Sequence, residues 1–242
     1  TVLGNTALAN NTTGSQNVAI GFENQSLGST TQFGNTSMGY QTLKTSTGNT
    51  VTAIGYKAAF SGGSTDAVAI GRQSLYSMVN NNSYSTNATT AVGSYSLYSL
   101  VGGNANNSTN NTALGWGAGY GITTGGYNTA IGLNSMASGV LGVGTPGITS
   151  FNNIAVGINT LFGAKTGNQN IAIGHWAGFS ITSGNYNVII GGNQGASIAT
   201  ASNQMILSDG QGNERMKIDS LGQVGIGTTI PVAKLHVVGN FK

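Results

Sequence analysis

One pentad, Asn-x-Ala-aliphatic-Gly, returns along this chain at near-regular intervals. It reads Asn17-Val18-Ala19-Ile20-Gly21, and recurs at Asn111–Gly115, Asn128–Gly132, Asn153–Gly157 and Asn170–Gly174. Asn187-Val188-Ile189-Ile190-Gly191 varies only its third residue. Looser copies end at Gly4, Gly39, Gly55, Gly71 and Gly93, and Asn203-Gln204-Met205-Ile206-Leu207 lacks the glycine. From Gly4 to Gly191 the glycines are 17, 18, 16, 16, 22, 22, 17, 25, 17 and 17 residues apart. Seventeen residues cannot enclose a core alone, so a fixed period of this size requires copies that stack on one another.

The pentad is a strand rather than a helix. Glycine costs about 1 kcal/mol in a helix interior, and Val, Ile, Thr and Asn are also unfavourable there. Strand side chains alternate, so the residues three and one before the glycine share one bulky aliphatic face, and Asn, Ala and Gly share a small one. A second apolar residue follows four after the glycine, as Leu8, Leu43, Leu75, Leu97, Met136 or Leu161, and then a turn such as Thr182-Ser183-Gly184-Asn185. The expected fold is all-β: a repetitive, parallel β-solenoid with rungs of about 17 residues, strands about 4.8 Å apart and a rod of roughly 50 Å. Burial of Ile20, Ile54, Ile70, Ile131, Ile173 and Ile190 in the stacked rungs is expected to stabilise it. The pentad asparagines are placed to form an amide ladder between rungs.

Composition narrows the function. Only 5% of residues are charged, against about 25% in ordinary soluble domains. The eight basic residues, Lys44, Lys57, Arg72, Lys165, Arg215, Lys217, Lys234 and Lys242, are scattered singly, so a pI near 9.2 supplies no nucleic-acid patch. Cysteine is absent, and no run of 18 apolar residues could cross a membrane as a helix. Thr1 follows no charged leader, so a secretory signal is absent or lies outside this chain.

A composition boundary falls near residue 203. Residues 1–202 form the repeat solenoid and hold six charges; residues 203–242 hold the other seven and read as a small β knob or prism. Met205 to Leu207, Arg215 to Ile218, Val224 to Gly227 and Lys234 to Val238 are its expected strands, with turns at Asp209–Asn213 and Ser220–Gly222. This knob is expected to cap the solenoid end.

"NTALGWGAG", "NTAIGLNSM" and "NIAIGHWAG" resemble head repeats of trimeric autotransporter adhesins, and are still more similar to the repeats of many phage tail fibres. "SLGQVGIGTTIPVAKLHVVGNFK", from Ser220 to Lys242, resembles the segment that commonly precedes an intramolecular chaperone autoprotease domain in phage fibres and tailspikes. The resemblance implies a homotrimer in a virion tail fibre, acting in attachment to a host surface glycan or protein alongside other tail or fibre proteins. A bacterial adhesin head at the cell surface is the alternative, and a glycan-depolymerising tailspike a third.

Candidate chemistry is sparse. Glycan hydrolysis wants two flanking carboxylates, and the repeats offer Glu23 and Asp66, 43 residues apart. Asp209, Glu214 and Asp219 sit around hairpin turns, and His175 and His236 are the two imidazoles. No catalytic, metal or cofactor site is expected, nor nucleic-acid binding or membrane insertion. The functional signal is aromatic: Tyr76, Tyr84, Tyr95 and Tyr98 fall in or beside the two 22-residue steps, among Asn, Ser and Thr. They are the receptor-binding candidates, since loops carry recognition more often than scaffolds do. The excursions around residues 76–89, 97–110 and 137–152 are expected to project from the rod, the third as a packed flap. Trp116 and Trp176 are expected to pack between rungs or chains.

Overall fold

The computed structural model describes residues 1–27, 30–62, 65–77, 88–101, 109–138 and 147–239. Each glycine-bearing pentad forms a strand of two or three residues, and two further short strands, at Thr45–Ser46 and Ser61–Gly62, lie in the segments between pentads. In order these are β1 (Val2–Leu3), β2 (Val18–Ile20), β3 (Thr36–Met38), β4 (Thr45–Ser46), β5 (Thr52–Ile54) and β6 (Ser61–Gly62). Then come β7 (Val68–Ile70), β8 (Thr90–Val92), β9 (Thr112–Leu114), β10 (Thr129–Ile131), β11 (Ile154–Val156), β12 (Ile171–Ile173) and β13 (Val188–Ile190). The terminal segment adds β14 (Met205–Ser208), β15 (Glu214–Ile218), β16 (Val224–Ile226) and β17 (Leu235–Val237).

Fifteen of these strands make one sheet, and β4 pairs with β6 in a second sheet beside it. From β1 to β14 every neighbour in the long sheet is parallel and in register, with Ala113, Ala130, Ala155 and Ala172 stacked in one column. The chain is thus an all-β, mostly parallel solenoid. β14 closes the parallel run and opens an antiparallel hairpin with β15; β15 pairs antiparallel with β16, and β16 parallel with β17. The sheet therefore runs without a break through residue 203, and the terminal hairpins extend it.

The expected burial of the isoleucines is reversed. The central residue of each strand points inward: Ala19, Ala53, Ala69, Ala91, Ala113, Ala130, Ala155 and Ala172 are buried. Ile20, Ile70 and Ile131 are only part-buried, and Ile54, Ile173 and Ile190 are exposed. The physical reason lies on the opposite wall. Leu43, Leu75, Leu97, Met136 and Leu161, each four after a pentad glycine, turn inward and are fully buried. A large residue from that wall leaves room for only a methyl from the strand. Where the strand contributes Ile189, the facing wall contributes Gly195, whose added Cβ would lie 3.0 Å from Ile189 Cδ1.

Asparagine supplies the second fixed column. The side-chain carbonyl of each ladder Asn accepts the next rung's backbone N–H: Asn128 N to Asn111 Oδ1 at 3.0 Å, Asn153 N to Asn128 Oδ1 at 3.0 Å and Asn170 N to Asn153 Oδ1 at 2.8 Å. Its amide donates to a turn carbonyl, as Asn153 Nδ2 to Gly167 O at 3.0 Å and Asn170 Nδ2 to Gly184 O at 2.8 Å. The amide ladder expected from the sequence is present. It runs from Asn111 to Gln204 and again from Asn17 to Val51. The 25-residue step is crossed at the same distance as the 17-residue steps, so the extra residues leave the register unchanged. Residues 78–87, 102–108 and 139–146, the middle part of each expected excursion, lie outside the described residues.

Candidate functional site

The solenoid sorts aromatic side chains into columns by their distance from the pentad glycine. Phe60, Tyr76, Tyr98 and Tyr120 each stand five residues after one, at Gly55, Gly71, Gly93 and Gly115. Parallel, in-register strands bring them face to face: Phe60–Tyr76 at 5.2 Å, Tyr76–Tyr98 at 5.0 Å and Tyr98–Tyr120 at 5.1 Å between ring centroids. Phe162 and Phe179 repeat the arrangement at 5.1 Å further along. A separate column one after the glycine stacks Phe22 on Tyr40 at 5.7 Å and Tyr40 on Tyr56 at 5.3 Å.

Three of the four sequence-predicted tyrosines meet on this wall. Tyr95 tilts against Tyr98 at 5.9 Å, holds the Arg72 guanidinium 5.2 Å from its ring centroid and meets Trp116 edge-on at 6.2 Å. Tyr84 lies outside the described residues. Tyr76 and Tyr98 are rung residues in regular stacks. Their ring faces are occupied by one another, so the column presents ring edges and hydroxyls about 5 Å apart. Burial pushes the Tyr98 phenol above its ordinary pKa, and the neighbouring Tyr76, Tyr120 and Tyr95 add to the shift. The patch also includes Phe60, Arg72, Trp116 and Tyr120, which sequence reasoning missed. Counting the offset from the pentad glycine would have found Phe60 and Tyr120.

The carboxylates have structural partners. Glu23 accepts from Lys44 Nζ at 2.5 Å and from Gln41 Nε2 at 2.6 Å, one rung away, and these contacts hold its carboxyl below the usual range. Asp66 accepts from Thr50 Oγ1 at 2.5 Å. Asp209 organises the β14–β15 turn: it binds Asn213 and pairs with Arg215, and its carboxyl is held well below the usual range. Among the described residues no three His, Asp or Glu side chains gather as metal ligands.

The largest uncommitted feature is the outer face of the long sheet. The residues flanking the inward central residue of each pentad strand form largely aliphatic columns. Met38 is 49% exposed, Leu114 49%, Ile154 40%, Ile173 41% and Ile190 43%. Phe22, Tyr40, Tyr56, Trp116, Leu133 and Ile158 continue this exposed face one residue beyond the glycine. Compared with known proteins, the chain matches no family model, no curated protein and no solved structure.

Proposed function

We propose that this chain is a structural and adhesive segment of a homotrimeric phage tail fibre, taking part in attachment to a host surface. The observation that carries the reading is the uncovered aliphatic face. With rungs about 4.8 Å apart over some 50 Å, and columns spanning about 10–13 Å along each strand, the face covers on the order of 600 Å². Monomeric proteins rarely expose a contiguous apolar patch beyond a few hundred Å². The area approaches the roughly 800 Å² per partner of a stable interface. Three parallel copies around a common axis would bury the aliphatic columns against one another, and leave outward the turns and the corner at His175, where the column one past the glycine is no longer apolar. The likeness of the pentads and of Ser220–Lys242 to fibre proteins supplies the number three and the phage context.

The test is the molar mass of the folded chain in solution by light scattering, together with competition against phage adsorption to host cells. Three chains per particle and competition support the reading. A folded monomer overturns it. A trimer that attaches to cells but belongs to a gene continuing into a coiled-coil stalk and outer-membrane barrel replaces the phage fibre with a bacterial adhesin head.

A further inference from the structure

The outward column one after the pentad glycine changes character at the end of the repeats. Ile158 and then His175 occupy it, but the next rung has Gly192. A Cβ there would meet Gly210 O at 2.6 Å, because the β14–β15 turn rests where a side chain would stand. Gly192 N donates to Asp209 O at 2.9 Å and fixes that turn on the rung. Between the turn and the His175–Trp176 pair a cleft of about 230 Å³ remains, lined by His175, Trp176, Gly192, Gln194, Gly210 and Gln211.

The lining has a definite chemistry. Trp176 is braced from within the protein: its ring centroid lies 4.4 Å from that of Phe179, and His175 meets it edge-on at 5.9 Å. Among the described residues nothing hydrogen-bonds the side chains of Gln194, Gln211 or His175. The main chains of the two glutamines are held in place: Ser180 N donates to Gln194 O at 2.8 Å, and Gln211 N to the Asp209 carboxylate Oδ1 at 3.0 Å. Among the described residues no Asp, Glu, Lys or Arg lines the cleft. The volume lies below the ~300 Å³ at which pockets for drug-sized ligands begin, and suits one small ring.

We propose that this cleft is a subsite for a single neutral pyranose ring of a surface glycan. An indole offers a rigid apolar surface to the C–H face of a sugar. Two uncommitted amides and an imidazole can donate to and accept from its hydroxyls. The absence of a fixed charge selects against uronic and sialic acids, whose carboxylates would be desolvated without a partner. Gly210 has open space at its Cβ position, which lets the sugar reach the turn backbone. The inference rests on the host-attachment reading and assigns a site to it.

The chain has two tryptophans, so Trp116→Phe leaves Trp176 as the sole indole reporter. The trimer carrying this change is titrated with the methyl pyranosides of glucose, galactose, mannose, rhamnose and N-acetylglucosamine, up to about 50 mM, since a lone sugar ring binds in the millimolar range. The expected result is a saturable emission change with at least one of them, weakened tenfold or more in Gln194→Ala/Gln211→Ala at unchanged melting temperature. No saturable change with any of the five overturns the subsite, and so does a response that survives the double substitution. If cell attachment persists without pyranoside binding, the subsite falls and the fibre reading stands.

Discussion

Gly174 shows how little latitude single positions have in this stack. Its φ is +133°, and an added Cβ would lie 2.3 Å from Gly191 O in the next rung. Gly174→Ala therefore combines backbone strain with a clash against another backbone, and should destabilise the fold by at least about 3 kcal/mol. Gly210 has open space around its Cβ position, and Gly210→Ala should stay within about 0.5 kcal/mol in the same urea titrations. Equal effects would show that close rung packing is not what requires the pentad glycine. Asn153 is a second test at this scale. Replacing it with Ala strands the Asn170 N–H and the Gly167 carbonyl, both bonded to its side chain. Unsatisfied buried groups cost about 1–3 kcal/mol each, so a loss of about 2–6 kcal/mol is expected by denaturant unfolding.

Stacked columns act as elements in their own right. Tyr98 falls beside a long step in the sequence and reads there as a recognition residue; the structure makes it a stacking residue as well. Tyr98 lies between Tyr76 and Tyr120, and Tyr98→Ala should cost about 1–3 kcal/mol, from two aromatic pairs of about 0.5–1.5 kcal/mol each. Tyr98→Phe keeps the stack and should cost less. The same column gives an alkaline signature. The Tyr98 phenol has a raised pKa in the folded chain, so the unfolded chain ionises it first, near pH 10. Its contribution is full below pH ~10 and is lost as pH rises towards the folded value. Melting curves between pH 9 and 11 should fall less steeply in Tyr98→Phe; identical slopes would remove this residue from the alkaline transition.

Across the whole molecule, apolar burial rather than charge should govern assembly. Among the described residues the ion pairs are Glu23–Lys44 and Asp209–Arg215, and exposed or half-exposed pairs give about 0–1 kcal/mol each. Melting should shift by no more than a few degrees between low salt and ~1 M sodium chloride, and a fall of many degrees would contradict this. Ile173 tests the outer face directly. It points away from the chain's own core, so Ile173→Glu should preserve the rungs, yet would bury a carboxylate in each interface at about 3–5 kcal/mol. The expected product is a folded monomer with unchanged far-ultraviolet circular dichroism. A trimer of normal stability would place the interface elsewhere.

The repeat period, the strand at each pentad, the amide ladder and the terminal hairpin strands were all legible, because each depends on residues close in sequence or on a fixed spacing. Asn at the strand start and Gly at its end announce a rung wherever they occur. The choice of inner face was not legible. Alternation divides Ala172 from Ile171 and Ile173 but does not say which side meets the core. That was decided by Leu161, which turns inward from the opposite wall with φ +45°, a conformation no local preference of leucine supplies. Only closure of the rung, with one large side chain filling the space across from a methyl, makes that backbone favourable. The same closure turned Tyr76 and Tyr98 from apparent loop residues into a stack. It also left Ile54, Ile173 and Ile190 exposed on the outer face of the sheet.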